Sequence, residues 1–275
     1  MDKEIVMSQE AKAVFVTGAG GGLGTAVCQR FANEGWLVFA ADLKPPPATD
    51  QIVPIEVDVT DTDSVEAALT QVDAQSPAGL DALVAMAGLM GVGALAEMPD
   101  DKLQRMVNVN VMGTHRVVHA GFERLRKKLG RVILISSETG WQTTMPFNGA
   151  YAMTKHAVES YGDALRRELA MLGMKVAIVQ PGPFRTNMTE SIGKEFKAAT
   201  IPGSPFEKLG AKFGPTAAKE HGKAHDPAIL AQAIYEAATS SSPKVRYPIK
   251  NDRTRSMLSK LPTVVVDKLL AQLLR

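Results

Sequence analysis

Tyr151 and Lys155 lie four positions apart in a run, Tyr151 to Leu172, whose pattern predicts a long helix. Side chains at that spacing share one helix face. A phenol ionises at about 10 in water, and a neighbouring ammonium favours its phenolate. The pair therefore predicts a tyrosine that takes or gives a proton near neutral pH. Upstream, Thr17-Gly18-Ala19-Gly20-Gly21-Gly22-Leu23-Gly24 follows a short apolar run and opens a helical pattern. Glycines between a strand and a helix permit a tight turn and bring backbone amides close to a pyrophosphate at the positive end of the helix. Asp42 closes the next apolar run, about 20 residues on, where an acid accepts hydrogen bonds from an adenosine ribose. A carboxylate there repels a 2′-phosphate, and no Arg or Lys interrupts the glycine run. The cofactor these residues predict is NAD. NADP is the alternative, through Lys44.

The elements that must position these groups follow from the alternation of apolar and helical stretches. Ala13–Val16, Leu37–Ala41 (closed by Asp42), Ile52–Val57, Ala82–Ala85, Arg131–Ser136 and Lys175–Gln180 read as strands, and Arg246–Ile249 as a seventh. Between them, Gly22–Glu34, a helix opening at Thr60-Asp61-Thr62-Asp63, and Asp100–Lys128 read as helices, the last in two pieces meeting near Asn108–Asn110. Strands that alternate with helices form a parallel sheet with right-handed crossovers. The expected fold class is α/β, a single Rossmann-type doubly wound parallel sheet with helices on both faces. Residues 187–226, rich in Gly, Pro, Ala and Lys, read as a substrate lid without regular structure. Pro227–Thr239 resumes as a helix capped by Asp226, and 250–275 as a C-terminal helical extension. The helix Thr263–Leu274 either covers the pocket or meets a partner subunit.

Composition narrows the class. The chain has 275 residues, so one domain spanning 1–275 is expected. Thirty-one basic against 29 acidic residues leave a net charge of +2, too balanced for a nucleic-acid partner. The densest basic stretch, Arg124 to Lys128, falls at a helix end, where the dipole favours cations. The single cysteine, Cys28, excludes an internal disulfide, sits on a helix face that packs on the sheet, and points to a reducing, cytoplasmic setting. The N-terminal residues hold no apolar stretch of signal-peptide length, and no run of about 18 apolar residues predicts an integral membrane segment. His115 and His119 share a helix face but lack a third ligand, so no metal is expected.

Six segments in order resemble the short-chain dehydrogenase/reductase family, over about 13–186. Thr17-Gly18, Gly22 and Gly24 match its TGxxxGxG loop, with Leu23 inside it. Asp58-Val59 matches its adenine-contacting pair. Asn110 to Gly113 matches NxxG, Ser136-Ser137 ends the fifth strand, Tyr151 to Lys155 matches YxxxK, and Pro181 to Thr186 matches PGxxxT. The resemblance implies a hydride transfer between a nicotinamide cofactor and an alcohol or ketone. It implies a catalytic set of Asn110, Ser137, Tyr151 and Lys155. Ser137 would hold the substrate oxygen, Lys155 the nicotinamide ribose, and Asn110 a water linking Lys155 to solvent. Oxidised nicotinamide would lower the Tyr151 pKa further. The cofactor set implied is Gly18, Gly22, Leu23, Gly24, Asp42, Leu43, Asp58, Val59, Ala87, Gly88, Asn110, Tyr151, Lys155, Pro181, Gly182, Phe184 and Thr186. Thr186 and the backbone near Phe184 would hold the carboxamide. A homodimer or homotetramer is also implied.

Two departures stand out. Ala85-Met86-Ala87-Gly88 replaces the family's NNAG, so the asparagine that braces the sheet is missing. Ser137 lies 14 positions before Tyr151, one residue farther than in the family. Ser136 is the alternative to Ser137. Substrate contacts fall to Ser137, Met145, Phe147, Tyr151 and Met188, and Met188, Ile192 and Phe196 form an apolar stripe at helical spacing. Pro146-Phe147-Asn148 and the C-terminal segment resemble hydroxysteroid and retinol dehydrogenases, which implies a lipophilic, steroid- or retinoid-like alcohol. An NADP-linked reductase of small carbonyls and a non-catalytic NAD-sensing regulator are the alternatives.

Overall fold

The computed structural model describes the backbone of residues 11–221 and 224–274, and their side chains apart from 187–192, 216–221 and 273–274. Seven parallel strands form one sheet: β1 (Ala13–Thr17), β2 (Leu37–Asp42), β3 (Ile52–Glu56), β4 (Ala82–Ala85), β5 (Arg131–Ile135), β6 (Lys175–Pro181) and β7 (Arg246–Ile249). Their order is β3-β2-β1-β4-β5-β6-β7. β1 is buried along its whole length because helices cover both faces. Its alternate side chains divide between two cores: Ala13 and Phe15 face one, and Val14 and Val16 the other.

α2 (Thr62–Gln75), α4 (Thr114–Lys128) and α5 (Gly149–Ala170) contribute Leu69, Leu125 and Val158 to the first core. α1 (Gly22–Ala32) and α8 (Pro227–Thr239) contribute Phe31 and Ile234 to the second. Local chemistry sets the helix starts. The Asp61 side chain accepts from the Asp63 amide, and Asp226 accepts from the Ala228 amide ahead of Pro227. At the C-terminus of α4, Arg124 pairs with Asp73 and Lys128 with Asp81, so this basic stretch secures the helix end.

The break expected near Asn108–Asn110 is a π-helical segment, Asn108–Gly113, joining α3 (Asp100–Val107) to α4 without interruption. Such a bulge re-aims side chains without ending a helix. Residues 187–226, expected to lack regular structure, instead hold α6 (Asn187–Ala199) and α7 (Glu207–His221). Apolar side chains seat both helices. Phe196 is buried beside Val92, Ala94 and Phe147, and Leu209 and Phe213 pack onto that cluster. Two further helices, α9 (Arg253–Leu258) and α10 (Thr263–Leu274), complete the C-terminal extension. Among the described residues, no helix is long and apolar enough to cross a membrane.

Candidate active site

The strand order reverses between β1 and β4, and ligands of open α/β sheets bind beyond the carboxyl ends of strands at such a reversal. A cavity of about 830 Å³ opens there. It is lined by Gly18, Gly22, Leu23 and Gly24 of the loop after β1, by Asp42 and Leu43 after β2, and by Asp58 and Val59 after β3. Ala87 and Gly88 after β4 and Thr186 after β6 complete the predicted residues in its wall.

The wall is built for close backbone approach. Gly18 has φ +73°, and a Cβ there would sit 2.9 Å from the Ala87 nitrogen, so only glycine fits. The buried Thr17 hydroxyl accepts from the Met86 and Ala87 amides, both at 3.2 Å, locking the glycine loop to the end of β4. The Asp42 carboxylate accepts from the Gly20 amide and the Lys44 amide, both at 3.0 Å, which fixes its orientation toward the cavity. Lys44 is not among the cavity's lining residues. Asp58 Oδ1 accepts from the Thr60 amide and hydroxyl at 2.8 and 2.7 Å, holding the turn after β3. This cradle fits a nicotinamide dinucleotide: a glycine turn, a helix start and a strand-end acid stand where its pyrophosphate and ribose need them.

A second cavity of about 480 Å³ shares Leu23, Met86, Gly88 and Thr186 with the first. Ser137, Tyr151, Lys155, Pro181, Gly182 and Phe184 line it, with Met145 among the apolar walls. Tyr151 and Lys155 share the face of α5 that meets β5, and the Lys155 ammonium lies 5.6 Å from the centre of the Tyr151 ring. Lys155 is 5% exposed and donates to the Ile135 carbonyl at 2.9 Å. The Ser137 hydroxyl lines the same cavity as Tyr151 and accepts from the Thr139 amide at 3.2 Å. The Ser136 hydroxyl turns away, donating to the Lys155 carbonyl at 3.4 Å. Both serines line the cavity, and Ser137 is the one whose hydroxyl acts on the Tyr151 phenol.

The electrostatics correct one expectation. Burial pushes the Tyr151 phenol up to about 12; the Ser137 hydroxyl opposes that rise, and the negative charge of Glu138 adds to it. Burial also brings Lys155 down to about 8, while Glu159 opposes the fall. The ammonium points at a backbone carbonyl rather than the phenol oxygen. In these surroundings desolvation outweighs the ammonium's expected effect on the phenol.

Asn110 lines neither cavity; it is fully buried in the π-helical segment. Its Oδ1 accepts from the Leu89 amide at 2.7 Å, and Nδ2 donates to the Leu89 carbonyl at 2.8 Å and to Thr154 Oγ1 at 2.9 Å. It clamps the segment after β4 onto α5. Thr17 and Asn110 together brace the chain where Ala85 leaves no asparagine. Phe147 is also placed away from the cavity lining. It adopts φ +65° and packs 6.0 Å from the Phe196 ring and 6.1 Å from the Phe213 ring. That packing turns it into the core under α6 and α7, while Phe196 and Phe213 reach the cavity. The Met188 and Ile192 side chains lie outside the described residues.

Several lining residues had no sequence signal. Asp101, Gln104 and Arg105 reach the larger cavity from α3, and Glu138, Arg255, Leu258 and Leu270 reach the smaller one. Their helix faces could not be assigned from spacing alone. His115 and His119 stack at 5.8 Å, with Tyr161 against His115, and among the described residues no cluster of three metal-ligating side chains exists. Cys28 is buried in the second core.

A Rossmann-type sheet with a serine, a tyrosine and a lysine at the mouth of a dinucleotide cradle defines an oxidoreductase acting on CH–OH groups. The chain belongs to the short chain dehydrogenase family, whose sequence model matches residues 12–197. It is 32% identical to rat 17-beta-hydroxysteroid dehydrogenase type 6, over 98% of this chain and 91% of the relative. It is 32% identical to human retinol dehydrogenase 5, over 95% of this chain and 88% of that one. A short-chain dehydrogenase from Streptomyces avermitilis superposes with TM-score 0.74 at 28% identity, over 97% of this chain and 96% of the other.

Proposed function

We propose that the protein transfers a hydride between NAD(H) and a lipophilic secondary alcohol or its ketone, of steroid or retinoid type. The observation that carries this reading is the junction of the two cavities. Ser137, Tyr151 and Lys155 line the smaller one, close to the walls it shares with the dinucleotide cradle. When bound, the nicotinamide accepts or delivers the hydride. The Tyr151 phenol moves the proton of the substrate hydroxyl, and the Ser137 hydroxyl holds the substrate oxygen beside it. Lys155 holds the ribose hydroxyls. Because the phenol starts high, charge gathered around it on binding must stabilise its phenolate.

Asp42 favours NAD. Its carboxylate lines the larger cavity at the end of β2, where a 2′-phosphate would meet like charge. The apolar substrate class is supported by Met90, Met145, Phe184, Phe196, Phe213 and Leu270 around the smaller cavity. The hydroxysteroid and retinol dehydrogenases among its relatives point the same way. The same reading extends to a cytoplasmic homodimer or homotetramer, which light scattering after size exclusion checks; a monomer contradicts it. The test of the cofactor assignment is fluorescence titration with NADH and NADPH, repeated in Asp42→Ala. NADH binds more tightly to the wild type, and the substitution narrows the gap. Tighter NADPH binding would replace the reading with an NADP-linked ketone reductase.

A further inference from the structure

Glu138 follows Ser137 directly and is 4% exposed. A carboxylate withdrawn from water is costly unless charged or polar groups surround it. Its partners come from the far end of the chain. Oε1 accepts from Arg255 Nη2 at 2.5 Å, and Oε2 accepts from the Asp252 amide at 2.6 Å. Two neighbouring bonds join the same surfaces. Gln142 Nε2 donates to Ser256 Oγ at 2.7 Å, and the Thr143 amide donates to Ser259 Oγ at 2.6 Å.

α9 buries none of its residues, and Met257 is 69% exposed. Apolar burial therefore does not seat this helix; directed polar bonds do. Yet the segment walls the smaller cavity through Asp252, Thr254, Arg255 and Leu258, followed by Leu270 of α10. The Glu138 joint, with the Gln142 and Thr143 bonds beside it, holds that wall against the body.

We infer that Glu138 is a positioning residue which, through Arg255 and the Asp252 amide, seats the C-terminal segment as a wall of the substrate cavity and so sets which substrates are held. The inference rests on the reading of that cavity as the alcohol site. It selects by reach. A substrate long enough to touch Leu258 and Leu270 depends on the joint, and a small alcohol at Ser137 and Tyr151 depends on it less.

The experiment uses the full chain with NADH bound, as Glu138→Gln, Arg255→Met and Arg255→Lys. Hydrogen–deuterium exchange is followed over peptides covering 250–262. Exchange rises in Glu138→Gln and Arg255→Met and stays near wild type in Arg255→Lys, which keeps the charge. In kinetics with testosterone as a 17β-hydroxysteroid, KM rises on the order of tenfold in Arg255→Met, more than kcat falls, and Arg255→Lys recovers most of the loss. With cyclohexanol the KM change is smaller. Wild-type exchange in both Glu138→Gln and Arg255→Met overturns the inference, and so does an equal KM rise for both alcohols. If Glu138→Gln fails to fold, the Arg255 pair decides alone. If the wild type oxidises neither alcohol, the functional reading fails, while exchange still decides the joint.

Discussion

Replacing Gly24 with alanine should weaken the cofactor site and the fold together, whereas Gly22→Ala should weaken the cofactor site alone. A Cβ at Gly24 would lie 2.0 Å from the Gly18 carbonyl oxygen and 2.7 Å from Ala19 Cα, both backbone atoms. Reaching ordinary contact requires a displacement of about 1.5 Å, and no side chain can rotate away to supply it. Overpacking of that kind costs about 1–3 kcal/mol, against which alanine's helix propensity returns at most about 1 kcal/mol. At roughly 2–4 °C per kcal/mol for a chain of this size, the melting temperature falls by several degrees. The loop that moves also carries the amides offered to a pyrophosphate, so NADH affinity falls by about tenfold or more. A Cβ at Gly22 meets only Thr186, at 3.9 Å, which the fold tolerates. Both residues line the larger cavity, so the new methyl intrudes on the cofactor's space and leaves the melting temperature near wild type. Thermal scanning and NADH fluorescence titration read the two effects. Gly24→Ala with wild-type stability and affinity would refute the argument.

Asn110→Ala removes three hydrogen bonds and strands the Leu89 amide, so it should cost roughly 2–4 kcal/mol by denaturant unfolding; a loss near zero would show that the clamp is dispensable. Lys155 stands at about 8 against 10.5 for the free side chain, so below pH 8 it opposes folding, and stability rises as pH climbs between those values. Lys155→Met should be more stable than wild type at pH 7, and that advantage should shrink as pH rises from about 8 to 10.5; the contributions of Cys28 and Tyr151 cancel in the difference. An advantage independent of pH would contradict this. Burial pushes the Cys28 thiol up to about 12, so a thiol reagent at neutral pH should label the unfolded chain quickly and the native one slowly; equal rates would contradict its placement in the core.

Much of this architecture was legible because periodicity and punctuation agreed. β2 follows an apolar run closed by Asp42, β4 the apolar run Ala82–Ala85, and α8 an apolar run opened by the Asp226 cap. The glycine loop and Asp42 could be named from their spacing, whereas the site residues after β3, β4 and β6 could be named only through the resemblance to the family. α7 was hidden by Gly210, Gly214 and Pro215, whose local preferences mask the four-residue spacing of Leu209 and Phe213, while α6 was legible only as the stripe Met188, Ile192 and Phe196. Phe147 was misplaced because its positive φ, set by tertiary packing, turns the ring inward. The direction of the Tyr151 shift depends on burial, which spacing on one helix does not reveal. The Glu138–Arg255 pair spans 117 residues, and no pattern in either segment announces the other.

The central claim is that Tyr151 carries the proton of a nicotinamide-linked alcohol oxidation. The most direct test follows the near-ultraviolet absorbance of reduced nicotinamide as wild type and Tyr151→Phe meet NAD⁺ with a 17β-hydroxysteroid or all-trans-retinol. The account predicts NADH formation by the wild type and a fall of about 10²–10⁴-fold in Tyr151→Phe, with NADH binding retained. Comparable turnover in Tyr151→Phe, or no turnover of either alcohol by a wild type that binds NADH, would contradict it.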